Sequence, residues 1–201
     1  MDDDESLLAD WAPVARPSRR VLAGSTVRLQ PVDPTQDAPA LFKASHDARD
    51  PSLWEYLPVG PFPTEADFTT WLSSAASSQD PLFLAVVDER SGEPAGMVSF
   101  LRMAPDHGVI EIGFIWFGPS LQRTRQATEA NYLLARHAFD DLGYRRLEWK
   151  CNARNERSRR AALRFGFTYE GIFRQHMMVK NRNRDTAWYS IIDREWPRIR
   201  A

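Results

Sequence analysis

The sequence predicts a single α/β (α+β) domain: one mixed β-sheet flanked by helices around a parallel strand–helix–strand core. Three observations predict it. Short apolar runs of strand length alternate with amphipathic stretches of helix length, in the order β-α-α-β-β-β-α-β-α-β-β. The strand–helix–strand unit across 109–151 requires a right-handed parallel crossover, while 81–103 reads as an antiparallel hairpin, so the sheet is mixed. The 201 residues are 43% hydrophobic and include seven Trp and eleven Phe, enough for one sizeable core. No repeat or linker divides residues 24–196, and residues 1–23 and 197–201 are expected as tails.

Each element has its own signal. "STVRLQPVD" (25–33) alternates Val27 and Leu29 with polar neighbours and stops at Pro31, as a strand would. "TQDAPALFKASHD" (35–47) predicts a helix with Leu41 and Phe42 inward. The proline-rich stretch 50–64 predicts a loop, packed down by Trp54, Tyr56, Leu57 and Phe62 or else lining a pocket with them. Residues 64–78 predict a helix opened by Thr64, with Phe68, Trp71, Leu72 and Ala75 on one face. In the hairpin 81–103 the turn falls at Ser91–Gly92. "GVIEIGFIWFG" (108–118) is nearly continuous in apolar residues, as in a strand covered on both faces. The next helix places Ala127, Ala130, Leu134 and Ala138 at spacings of three and four and ends at Gly143. "RRLEWKC" (145–151) alternates Leu147, Trp149 and Cys151 with Arg146, Glu148 and Lys150, a half-buried strand. Residues 155–167 predict a short helix capped by Asn155 and stopped at Gly166. Two strands, 168–179 and 185–193, flank a basic turn "KNRNR".

Composition narrows the function classes. No run approaches the ~18 apolar residues of a membrane span, and the acidic start lacks the basic and apolar regions of a signal peptide. The lone cysteine, Cys151, rules out an internal disulfide framework and fits a reducing cytoplasm. The net charge of −1 hides a division: residues 1–100 carry 7 Lys/Arg against 16 Asp/Glu, residues 101–201 carry 19 against 11. The basic half faces an anionic partner or the acidic half. With a pI near 6.4, a broad nucleic-acid surface is not expected. The four histidines show no ligand spacing, so no metal site is expected.

The stretch "SLQRTRQATEA" (120–130) places Arg123 and Arg125 where a strand runs into a helix. Helix starts present free N–H groups and partial positive charge, which makes them anion sites and poor places for arginine. Either the two side chains sit in solvent, or an anion such as phosphate meets them.

Here the residues resemble a known family. "EIGFIWFGPSLQRTRQATEA" is similar to the acyl-CoA-binding motif of the GNAT superfamily of N-acyltransferases, in which an "EIG" strand precedes a loop Q/R-x-x-G-x-G/A. Gln122, Arg125 and Ala127 hold the three defining positions. Asn155 and Ser158 match a downstream N-x-x-S, followed by Gly166-Phe167. "ATEA" and the closing "EW" resemble the subgroup of RimJ/RimL-type ribosomal-protein N-terminal acetyltransferases. The resemblance implies a GNAT-like sheet over 24–196 and acetyl-CoA, or another acyl-CoA, as co-substrate, with no metal. It implies donor contacts from Ile112, Phe114, Gln122, Arg123, Thr124, Arg125, Gln126, Ala127, Thr128, Asn155 and Ser158. It also admits a homodimer. One departure stands out: the first loop glycine of the family is Arg125, so side chains must do part of what backbone approach does elsewhere.

The resemblance makes Glu111 the candidate general base, because the attacking amine must lose a proton. Among Val109, Gly113, Ile115 and Phe117 desolvation can raise its pKa; the alternative is a buried glutamate paired with an arginine. Where many relatives carry a tyrosine that protonates the leaving thiolate, this chain has Ala162; Ser158 or water remains. Cys151 is expected as a packed thiol, with direct transfer in a ternary complex. The acceptor, a primary amine such as a protein N-terminus or a small molecule, is expected between the strand turn 176–186 and the loop bearing Trp54, Tyr56 and Leu57. Two alternatives stay open: transfer of another acyl group such as succinyl, and a non-catalytic acyl-CoA sensor.

Overall fold

The computed structural model describes residues 11–47 and 49–201; the acidic opening of the expected N-terminal tail lies outside the described residues. The strands are β1 (Leu22–Ala23), β2 (Val27–Pro31), β3 (Leu82–Asp88), β4 (Pro94–Ala104), β5 (Val109–Phe117), β6 (Arg146–Asn152), β7 (Thr168–Val179) and β8 (Arg182–Ile192). The helices are α1 (Pro34–Ser45), α2 (Glu65–Ser77), α3 (Arg125–Arg136), α4 (Glu156–Arg164) and α5 (Trp196–Ile199). One sheet runs in the order β1-β2-β3-β4-β5-β6-β8-β7. Every pair is antiparallel except β5–β6, the parallel pair joined through α3.

Period-two alternation divides the core between the two faces of this sheet. On one face Leu29, Leu84, Val98, Phe100, Ile110 and Ile112 join Leu147, Trp149 and Cys151 under α3 and α4. On the other, Phe83, Ala85, Met97 and Trp116 pack against Leu41, Phe68 and Leu72 of α1 and α2 and against Trp54. The central strands are therefore buried on both sides, which explains the unbroken apolar runs at 82–87 and 109–117. The second core stops at β5. Beyond it, β6 and β8 turn Glu148, Lys150, Trp188 and Ser190 to that face.

The helix starts follow their caps. Asp33 accepts from the N–H groups of Thr35 and Gln36, Thr64 from Asp67, Thr124 from Ala127 and Asn155 from Ser158. Four boundaries differ from expectation. Residues 11–23 are packed rather than loose: Leu22–Ala23 pair with β2, Pro17 is buried, and Trp11 Nε1 donates to the Asp106 carbonyl at 2.9 Å. At the other end α5 buries Trp196, which stacks on Phe139, and sets Ile199 against Gly166. Gly166 has φ +90 and an added Cβ would meet Ile199 at 2.9 Å, so conformation and contact both require glycine there. The last turn of the α3 stretch is π-helical over His137–Asp141. The basic turn is shorter than read: only Lys180 and Asn181, both with positive φ, form it, and Arg182–Arg184 already belong to β8.

Candidate functional site

β5 and β6 pair only from Val109 to Ile112 and from Arg146 to Trp149, yet β5 continues to Phe117 and β6 to Asn152. Past Ile112 the register to β4 shifts, and Phe114 takes φ +48, the mark of a bulge. The two parallel strands therefore part and leave a slot along the second half of β5. Because α3 and α4 each follow one of these strands, both helix starts lie at the mouth of the slot. Thr124 Oγ1 satisfies the Ala127 N–H, and helix geometry leaves those of Arg125 and Gln126 without an intrahelical partner.

Arg123 and Arg125 are exposed and, among the described residues, make no hydrogen bond or ion pair. Arg125 is helical, at the first position of α3, so its place in the loop does not demand a glycine backbone. The left-handed residue is Arg123, with φ +60. Gln122 is committed elsewhere: its Nε2 donates to Asp50 Oδ2 at 2.6 Å and to the Phe117 carbonyl at 3.0 Å. Ile112 and Ala127 are buried, and Phe114 packs its ring against Phe83, so these three meet a ligand through backbone if at all. Gln126 is half-buried on the first turn of α3 and Thr128 exposed on the second. On α4, the Asn155 carboxamide oxygen accepts from the Ser158 N–H at 3.1 Å, and Ser158 Oγ accepts from Trp149 Nε1 at 2.9 Å. Burial raises the Cys151 thiol pKa, only partly offset by a hydrogen bond from Ser158, and the sulfur is an inert core atom.

Glu111 lies on the opposite face of β5 and is buried. Its surroundings are ionic rather than apolar. Arg102 Nη1 donates to both carboxylate oxygens, at 2.9 and 2.7 Å, and Lys150 Nζ sits 2.9 Å from Oε2. Lys150 also pairs with Glu148 at 2.6 Å, and Arg146 joins Glu148 at 2.8 Å to Glu170 at 2.7 Å. The neighbours of Glu111 are delivered by distorted backbone. Arg102 has φ +46 in a β4 bulge whose N–H groups, at Arg102 and Met103, are held by Asp80. In β7, Gln175 has φ +50 and its N–H is held by Asp185, which turns the next residue, His176, to Thr186 Oγ1 at 3.0 Å. Two left-handed bulge residues, Arg102 and Gln175, thus aim side chains at the Glu111 group, the placement expected of a site whose side chains are re-aimed. His176 is held below the ordinary histidine pKa by desolvation, then by Arg184, Arg102 and Lys150.

The loop after α1 closes the far side. Trp54 is a core residue, so it supports the loop and does not line a pocket; its Nε1 donates to the Ser45 carbonyl at 2.9 Å. Its own carbonyl accepts from Lys180 Nζ at 2.7 Å, Tyr56 Oη reaches the Arg154 carbonyl at 3.5 Å, and Arg157 lies 3.4 Å from Asp50. Leu57 is half-buried against the second core. The structure thus brings together the 50–57 loop, the Gln122 loop, the start of α4 and the β7–β8 turn around the slot. Sequence reading missed Arg102, Lys150, Arg184, His176 and Trp188. Arg146, Glu148 and Lys150 were visible only as the polar side of a half-buried strand. Among the described residues no group of His, Cys, Asp or Glu could hold a metal ion, and no helix is long and apolar enough to cross a membrane.

Residues 26–168 match the acetyltransferase (GNAT) domain family. A GCN5-related N-acetyltransferase from Brucella melitensis superposes with a TM-score of 0.94 at 48% identity, covering 96% of this chain and 87% of that one. A probable acetyltransferase of the GNAT family from Chromobacterium violaceum gives 0.89 at 44%, covering 98% of each. The ribosomal-protein-serine acetyltransferase of Escherichia coli is 32% identical over 105 residues, 52% of this chain and 58% of that protein. The chain spans little more than half the length of the curated relatives it matches.

Proposed function

The chain belongs to the GNAT acetyltransferase family, and we propose that it moves an acetyl group from acetyl-CoA to a primary amine by direct attack in a ternary complex. The observation that carries this reading is the parting of β5 and β6. The gap it leaves has two helix starts with unpaired Arg123 and Arg125 on one side of the sheet and the buried Glu111 group on the other. The donor lies along the slot with its pyrophosphate at the start of α3, where Arg123, Arg125 and free N–H groups supply charge-assisted donors. Thr124, Gln126, Thr128, Asn155 and Ser158 border the same run. The amine arrives from the Glu111 side, between Tyr56 and Leu57 and the β7–β8 turn.

In the reaction the nitrogen lone pair forms a C–N bond to the thioester carbonyl, the C–S bond breaks, the amine gives up a proton and the thiolate takes one. Glu111 receives the amine proton, directly or through water, and its contacts with Arg102 and Lys150 fix its position. Ser158, beside the slot, or water supplies the proton to sulfur. The Escherichia coli relative is named for serine of a ribosomal protein, which makes a protein N-terminus the first acceptor to try. One observation favours a second reading, a non-catalytic acyl-CoA-binding module: both oxygens of Glu111 are occupied by cations, and Ala162 is buried where a tyrosine would stand. Thiol release from acetyl-CoA against a panel of N-terminal peptides and small amines separates the two. Release with stoichiometric acetylated product supports transfer, and CoA binding without release across the panel supports the module.

A further inference from the structure

Six side chains form a continuous row on the open face of β4, β5, β6 and β7: Arg102, Glu111, Lys150, Glu148, Arg146 and Glu170. Cation and anion alternate and each touches the next, so the row neutralises itself. Arg184 stands outside it. β8 places Arg184, Thr186 and Trp188 at alternate positions on the same face, and Trp188 pairs in register with Lys150, whose Nζ lies 3.9 Å above the indole. The Arg184 Nε–H donates to Thr186 Oγ1 at 3.2 Å, the oxygen that His176 also reaches. Among the described residues no carboxylate lies within ion-pair distance of Arg184, and its two Nη groups have no acceptor. Glu111 is near enough to act on it through space but has both oxygens taken.

Arg184 is half-buried and its Nη groups keep contact with solvent, so its unclaimed donors are open to a ligand that enters from the cleft. The surplus is one positive charge in a planar fork, which matches a single carboxylate in geometry and in charge. We propose that Arg184 is a carboxylate-binding residue of the transfer centre, taking a carboxylate carried by one of the two reactants: at the far end of a dicarboxylic acyl group, or beside the amine of the acceptor. The inference rests on the transferase reading above and narrows its substrates.

The test uses the whole chain, wild type and Arg184→Met and Arg184→Lys, with four reactant pairs. The donor is acetyl-CoA or succinyl-CoA, and the acceptor is an amino acid or its amide. The wild type is expected to prefer the carboxylate-bearing member in one arm by about tenfold or more in kcat/KM, and Arg184→Met to bring that preference close to unity. Preference in the donor arm assigns the carboxylate to the acyl group; preference in the acceptor arm assigns it to the amine. Arg184→Lys keeps the charge without the fork and should retain part of the preference, which also covers a Met variant that folds poorly. Thiol release without preference in either arm, or a preference that survives Arg184→Met, overturns the inference alone. No release from any of the four pairs overturns the inference, and the transferase reading falls with it only where the N-terminal peptides of the panel are silent too.

Discussion

Replacing Glu111 with glutamine leaves Arg102 and Lys150 facing a neutral amide. Removing one partner of a buried ion pair costs about 3–5 kcal/mol, less where a partner is exposed, as Arg102 is at 44%. A lower melting temperature is therefore expected along with slower chemistry, and the kinetics must be read on folded protein. On that fraction turnover should fall far more than donor affinity and recover partly at high pH, where more amine is already neutral. Wild-type turnover, with chemistry rate-limiting, removes Glu111 from the mechanism. His176 adds a pH signature: its pKa lies below the ordinary value, so it is neutral at pH 7 and gains charge only as pH falls through that lowered value. An acid limb that His176→Gln abolishes would assign the proton to His176 instead. Glu111 was legible because its strand carries a motif. Its partners were not, since Lys150 reaches it through a parallel register between strands separated by a whole helix, and Arg102 through a backbone bulge no residue pattern announces.

The α3 start carries two predictions. Arg123→Ala with Arg125→Ala removes two charge-assisted donors, each worth roughly 1.5–3 kcal/mol when well formed and less when exposed. Calorimetry should show CoA binding weakened on the order of ten- to a thousandfold, with a shallower salt dependence. Arg125→Gly tests the family departure by itself. Since Arg125 is already helical, glycine offers no backbone relief there, and weaker binding is expected; unchanged or tighter binding would leave Arg125 a solvent residue. One turn further, Glu129 ties α3 to the β1–β2 turn. Ser25 donates through N–H at 2.6 Å and Oγ at 2.7 Å, and Thr26 donates through both its N–H and its hydroxyl. Burial opposes ionisation, but these donors outweigh it and hold the carboxyl at about 2. The contribution is full above the ordinary glutamate value and disappears as pH falls through about 2. Urea unfolding should show Glu129→Gln less stable by ~2 kcal/mol at pH 6, with the gap narrowing toward pH 2. A pH-independent gap would mean packing, not charge, is lost. Most helix and strand ends were legible within a residue or two because caps and alternation are local, but β8 begins three residues before its expected start and α4 stops three residues short of 167. The short β1 and α5 were not legible: two and four residues are too few to show a period, and only tertiary contacts hold them.

At the scale of the molecule, the mixed sheet and its parallel crossover could be read from the order of elements, but not the strand order. β7 lies outside β8, at the sheet edge, so the β7–β8 turn reaches back to Trp54 of the loop after α1 and completes the cleft. That contact spans 126 residues and has no local signature. A ligand that binds the folded state should stabilise the whole unit. Acetyl-CoA at a hundred times its dissociation constant adds about 2.7 kcal/mol, and a raised melting temperature is expected. Cys151→Ala should keep both that shift and turnover, because the thiol is a core atom; lost activity with an acyl adduct trapped on the wild type would establish a covalent route. The central claim is that the donor lies where β5 and β6 part, between the starts of α3 and α4. Amide hydrogen exchange with and without acetyl-CoA tests it most directly. Slowed exchange at 113–117, 123–128 and 155–158, beyond the uniform slowing that global stabilisation gives the β1–β3 amides, is the predicted result. Protection confined to any other surface, with those three segments unaffected, would contradict it.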